Sequence, residues 1–203
     1  MKIAYVTTGG LTFGMLTEYL PLLPPERQEK IMRYRFEEDK LRSLLAGLLI
    51  RRVTGGAPLR CGEHGKPLCD GVNFSVSHSG ELVAIAVGDC AVGLDVEQIP
   101  PEDRLKIADR FYHPAERAYV HGADDPPVAF CEIWTRKEAV LKMTGEGIAT
   151  DLTAFDTTAE SLSGQLFTTR LGDCCLSLCT EMPLEDNDIQ ISELELKELR
   201  LSD

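Results

Sequence analysis

No stretch of this chain approaches the ~20 consecutive apolar residues that a membrane-spanning helix requires, so no membrane segment is expected. The opening residues Met1-Lys2-Ile3-Ala4-Tyr5-Val6 read as a strand. They lack the apolar core of a signal peptide, and the expectation is a cytoplasmic protein. Positive charge is scarce: the net charge is −12 over 203 residues, which argues against general nucleic-acid binding. Neither a G-x-x-x-x-G-K-[ST] loop nor a kinase-type glycine loop occurs, which speaks against the common nucleotide phosphotransferases. Seven cysteines are present, yet Cys61, His64 and Cys69 find no second pair to complete four zinc ligands. In a reducing compartment they read as small core residues.

What is present is the composition of a soluble globular protein, 43% hydrophobic and 27% charged, long enough for one large domain or two small ones. Charge is unevenly placed. Residues 26–60 hold nine Lys/Arg against five Asp/Glu, while residues 151–203 hold three against twelve. A basic segment inside an acidic protein suits an anionic ligand. Within it, prolines 24 and 25 start a helix near Glu26, and leucines at spacings of three and four predict a second helix over residues 37–53, ended by Gly55-Gly56.

Three strands follow. Phe74 and Val76 alternate with serines, residues 82–87 are apolar throughout, and residues 91–96 alternate again; a meander is expected. In the third strand Val92, Leu94 and Val96 point one way, and Gly93, Asp95 and Glu97 the other, so two carboxylates share a face with a glycine that admits a close neighbour. Pro100-Pro101 divides the chain into residues 1–100 and 101–203, each with helices before strands. A helical run is expected up to Arg110, then a turn at Phe111-Tyr112-His113-Pro114, a short helix, and strands over residues 165–171, 174–180 and 189–201.

Residues 130–147, F-C-E-I-W-T-R-K-E-A-V-L-K-M-T-G-E-G, organise the rest. They predict a helix of about four turns, stopped at Gly145. Phe130, Ile133, Trp134, Val140 and Leu141 share an apolar face, and Lys137 falls near its middle. Its stem crosses that face to water, or its ammonium pairs with an acid at a cleft edge; the second reading is adopted. Glu138 and Lys142, four apart, bring a carboxylate and an amine to the edge of the core.

Three separated pieces resemble the larger, Sfp-like 4′-phosphopantetheinyl transferases: G-K-P with N-F-S-V-S-H-S (residues 65–67 and 73–79), V-G-L-D-V-E (92–97), and W-T-R-K-E-A-V-L-K (134–142). Order, intervals and length agree over roughly residues 27–147. The resemblance implies an α+β pseudo-dimer, two similar halves in one chain with coenzyme A in the cleft between them. It implies transfer of the phosphopantetheine arm of CoA to a serine of an acyl or peptidyl carrier protein, with Mg²⁺ and release of adenosine 3′,5′-bisphosphate. Asp95, Glu97 and Glu138 supply carboxylates of the kind Mg²⁺ takes beside phosphate oxygens. By similarity Lys142 and His78 meet the diphosphate, Lys66, Ser43 and Ser77 surround the adenosine and its 3′-phosphate, and Arg27 and Lys30 add charge. Glu138 is the first candidate to take the serine proton, with a metal-bound water as another and Glu116 held in reserve. A monomer is expected. The rival readings are a CoA- or carrier-binding module without catalysis, and another Mg²⁺-nucleotide phosphotransferase.

Overall fold

The computed structural model describes residues 1–101, 104–147, 150–184 and 189–200. After strand β1 (Lys2–Thr7) and a 3-10 segment come helices α1 (Pro25–Met32) and α2 (Glu37–Thr54). Pro25 opens α1 at a position where a missing N–H is harmless, and Gly55, at φ +64°, closes α2. The short pair β2 (Arg60–Cys61) and β3 (Pro67–Leu68) leads into β4 (Asn73–Ser79), β5 (Leu82–Gly88) and β6 (Val92–Gln98). Helices α3 (Leu105–Phe111), α4 (Pro114–Gly122) and α5 (Pro126–Thr144) follow. A short α6 (Glu160–Ser163) precedes β7 (Leu166–Leu171), β8 (Cys174–Thr180) and β9 (Gln190–Glu193). Asp125 caps α5 by accepting from the Val128 amide, so that helix starts a turn before the predicted residue 130, and Gly145, at φ +82°, ends it as expected.

Two sheets carry the fold, in the orders β4-β5-β1-β9 and β6-β8-β7. The expected meander does not form: β6 leaves β5 and pairs antiparallel with β8, Asp95 opposite Ser177 and Glu97 opposite Cys175. Instead of a main-chain ladder, side chains of β4 bridge to β6. The Leu94 amide donates to Ser75 Oγ at 2.9 Å and the Gln98 amide to Ser79 Oγ at 3.0 Å. The chain thus enters the second sheet at Val92, upstream of Pro100-Pro101, and β9 returns to run parallel beside β1. The predicted terminal strand is shorter than expected, with a 3-10 turn at Leu196–Leu199 replacing its end. Residue 201 of that strand, and residues 102–103 of the predicted helical run up to Arg110, lie outside the described residues.

Burial explains the layering. Val83 and Ile85 of β5 face α2 and pack with Phe74, Leu44, Leu45 and Leu48. Leu82, Ala84 and Ala86, on the other face, meet Val92, Leu94, Val96, Leu176 and Leu178 of the second sheet. That sheet's outer face takes α5. The order through the molecule is helix, sheet, sheet, helix, as the all-apolar run of β5 requires.

Gly93 sets how closely α5 lies on β6. A Cβ at that position would sit 1.9 Å from the Ala139 carbonyl oxygen and 2.4 Å from the Met143 nitrogen, both backbone atoms with no freedom to rotate away. Gly93→Ala is expected to cost about 3 kcal/mol, the upper end of ordinary overpacking, measured by urea unfolding. A variant as stable as the parent would mean that the helix shifts freely.

Candidate functional site

The alternation of β6 sends Asp95 and Glu97 toward α5 and the serines of β4. Asp95 is buried, and its Oδ1 accepts from Ser77 Oγ at 2.9 Å and from Lys142 Nζ at 2.6 Å. Lys142 Nζ also reaches Ser77 Oγ at 2.9 Å. Glu97 Oε2 accepts from Ser79 Oγ at 2.8 Å. Residues remote in sequence therefore meet: β4 supplies hydroxyls, β6 carboxylates, and α5 an ammonium.

Electrostatics ties in Glu138. Burial raises the pKa of Asp95 first, against the pull of Lys142. Burial also raises Glu97 and Glu138, and the Asp95 charge pushes each further. Among the described residues, however, no three His, Cys, Asp or Glu side chains are grouped to hold a metal ion. The expected ligand cluster is not preformed, and the Lys142 ammonium holds one oxygen of Asp95. The other, Oδ2, is buried without a hydrogen-bond partner among the described residues. An orphaned carboxylate oxygen amid acids held above their ordinary pKa fits a hard cation, for which carboxylate oxygens are the normal donors.

Two cavities flank this junction. One, of about 540 Å³, is lined by Lys66, Ser75, Val76, Glu138, Lys142 and the H-G-K-P turn. Lys66 Nζ donates to the Val92 carbonyl at 3.4 Å and to the Lys142 carbonyl, so it ties this turn to β6 and to the end of α5. The imidazole of His64, itself at φ +54°, covers Gly147 at the rim, where no side chain would fit. The second cavity, of about 490 Å³, begins at Glu97 and runs past Pro100, Arg104, Cys131 and Trp134. Trp134, expected as a core anchor, lines this cavity and stacks on Phe130 at 6.1 Å between centroids.

The remaining predicted residues fall less neatly. His78 stands at the surface; desolvation of its ring, then the charges of Arg42, Lys142 and Arg27, hold its pKa low. Arg27 donates to the Ser43 carbonyl at 3.0 Å, and Lys30 is exposed on α1. Ser43 is 2% exposed inside α2, and its carbonyl accepts from Arg27. Arg42, whose charge bears on His78, donates to the Gly80 carbonyl at 3.0 Å and pairs with Asp39 at 2.6 Å.

Glu116 is a correction. It is wholly buried, its Oε2 accepting from the His113 amide at 2.9 Å and from Lys137 Nζ at 2.7 Å. Its Oε1 takes the amide and hydroxyl of Thr157, at 2.8 and 2.7 Å. A carboxylate so occupied cannot collect a substrate proton. Lys137 does pair with an acid, but in the interior instead of at a cleft edge. Its other donors reach the carbonyls of Leu152 at 2.7 Å and Phe155 at 2.8 Å. Burial lowers its pKa, and Glu116 opposes that shift.

Comparison with known proteins adds the following. The model of the 4′-phosphopantetheinyl transferase superfamily matches residues 91–191. The chain is 36% identical over 166 residues to the 4′-phosphopantetheinyl transferase psf-1 of Bacillus pumilus, covering 75% of this chain and 70% of that protein. It is 34% identical to the 4′-phosphopantetheinyl transferase AcpT of Salmonella typhi, over 70% of this chain and 77% of that one. Against the 4′-phosphopantetheinyl transferase gsp of Aneurinibacillus migulanus identity is 36%, and the match spans 59% of that relative's length.

The buried pair makes a testable claim about architecture. Lys137→Met is expected to cost about 3–5 kcal/mol in urea unfolding, because Glu116 is left charged without its partner. Combining it with Glu116→Gln should recover part of the loss. A double variant no better than the single one would assign the effect to the lost bonds to Leu152 and Phe155.

Proposed function

The chain belongs to the 4′-phosphopantetheinyl transferase superfamily, and we propose that it transfers the phosphopantetheine arm of coenzyme A to a serine hydroxyl of an acyl or peptidyl carrier protein. The observation that carries this reading is the Lys142–Asp95–Ser77 junction, set between two cavities with Glu138 on one side and Glu97 on the other. A ligand with a polyanionic centre and two unlike ends suits such a layout. The cavity at the H-G-K-P turn would take the nucleotide end, with Lys66 and Lys142 on its phosphates. The groove beyond Glu97 would take the arm.

The fold supports the pseudo-dimer reading. In β1, α2, β4, β5 the first strand pairs antiparallel with the second strand of the hairpin, and β6, α5, β7, β8 repeat that arrangement. The two halves then meet between β5 and β6, with β9 crossing back to the first sheet. On that reading the cleft between them would lie where β4 meets β6 and α5.

In the reaction, the carrier serine oxygen forms a bond to the phosphorus that bears pantetheine. The bond from that phosphorus to the bridging oxygen breaks, and adenosine 3′,5′-bisphosphate leaves. Glu138 takes the serine proton; a carboxylate with a raised pKa is a better base near neutrality than an ordinary one. Lys142 leaves Asp95 for the diphosphate, where its charge offsets what gathers on the leaving oxygen. His78, at the edge of the same basic surface, donates to a phosphate oxygen. Asp95, Glu97 and Glu138 would hold Mg²⁺, which when bound neutralises phosphate charge.

Incubation with CoA, Mg²⁺ and a panel of apo carriers, read by the carrier's gain in mass, tests the reading directly. No gain on any carrier would overturn it. Asp95→Ala is expected to lower turnover by at least about 10²-fold while the protein keeps its circular dichroism. Turnover should rise with pH through the raised pKa of Glu138 and then level off, since only its ionised form accepts a proton.

A further inference from the structure

Two thiols lie together where the transfer chemistry does not use them. Cys131, on α5, places its Sγ 3.3 Å from the Glu97 carbonyl oxygen. Cys175, on β8, is the cross-strand partner of Glu97 and points to the same face. Both side chains thus converge on one residue. Gly93, one β6 position along that face from Asp95, lets the helix ride close enough for this contact. Cys131 also lines the cavity that starts at Glu97. The remaining cysteines are placed differently: Cys61 is exposed, and Cys174 faces the sheet interface and donates to the Ser79 carbonyl.

We propose that Cys131 and Cys175 form a reversible dithiol–disulfide site that ties α5 to β8 beside Glu97 and lowers turnover when oxidised. The pairing stands on its own, while the effect on turnover rests on the transferase reading. The oxidant is a peroxide. Cys131, which lines the cavity, gives its sulfur's electron pair to one peroxide oxygen, becoming a sulfenic acid, and one water leaves. The Cys175 sulfur then attacks the Cys131 sulfur, the S–O bond breaks, and a second water leaves with the remaining thiol proton. Two thiols and one hydrogen peroxide become one disulfide and two waters. Exchange with a thiol reductant reverses it. Bond formation draws the first half of α5 toward β8 and takes the thiol from the Glu97 carbonyl, and through both it disturbs the acids of the site. Because both sulfurs are buried, oxidation should be slower than at Cys61.

The test treats reduced full-length protein with hydrogen peroxide and follows peptide mapping and transfer together. The expected product is a cross-linked peptide pair containing Cys131 and Cys175, short of the mass of two hydrogens. Transfer should fall by about tenfold, the scale of an ordinary coupling between sites, and return with dithiothreitol. Cys175→Ala should keep its transfer under the same treatment. Sulfinic or sulfonic acid at Cys131, pairing with other cysteines, or a 131–175 disulfide with unchanged transfer would each overturn the proposal. If the reduced protein modifies no carrier, the transferase reading falls, while the map still decides whether the two thiols pair.

Discussion

The whole site depends on how closely one helix approaches one strand. Asp95 projects from β6 into a space that α5 can fill only because Gly93, two residues before it, has no side chain to hold the helix off. At that separation Lys142 reaches Asp95 at 2.6 Å and Ser77 at 2.9 Å. A helix standing further away would leave the aspartate buried and unpaired, a costly state for a carboxylate. The geometry of the site and the packing of the core are thus one constraint, set by an atom that is missing.

The second constraint is the row of serines on β4. Ser75, Ser77 and Ser79 occupy one face of their strand, and each bonds across to β6 where a main-chain ladder would otherwise run. Hydroxyls suit this junction because they both donate and accept: Ser79 takes the Gln98 amide and gives to the Glu97 carboxylate. The two sheets can meet face to face in their apolar half and exchange polar contacts along the β4 edge. This is why acids that belong to the second sheet lie beside hydroxyls that belong to the first.

Much of this was legible in the residues. The helices at α2 and α5 announce themselves by leucine spacing and terminal glycines, and the alternation of β6 places Gly93, Asp95 and Glu97 together without any coordinates. What hydropathy alternation does not carry is the identity of a strand's partner, so β6 read as the third strand of a meander when it pairs with β8. The same limit explains Glu116. Its position before Lys137 in sequence says nothing of distance in space, and only the fold shows that it closes the α4 capping box and meets Lys137 in the interior. Lys137 itself was readable as an ammonium that needs an acid, since helical period puts it among apolar residues.

The choice of lysine at position 142 follows from what that position must do. Without a ligand, Asp95 is buried with its pKa raised, and an adjacent cation is needed to keep one of its oxygens satisfied. On the proposed reading, a polyanionic ligand in the neighbouring cavity would compete for the same cation. Lysine fits both states, as a compact charge on a flexible stem that can swing between acceptors, whereas the planar fork of arginine suits a fixed bidentate partner. The side chain of Lys142 is 31% exposed against 5% for Asp95, so the ammonium sits at the solvent side of the pair and moves at little desolvation cost. Its departure leaves Asp95 with only Ser77 on one oxygen and nothing on the other, amid two further acids whose pKa values burial has raised. On the proposed reading, the site would thereby demand positive charge as a phosphate arrives, the condition under which a divalent cation and a diphosphate bind better together than either does alone.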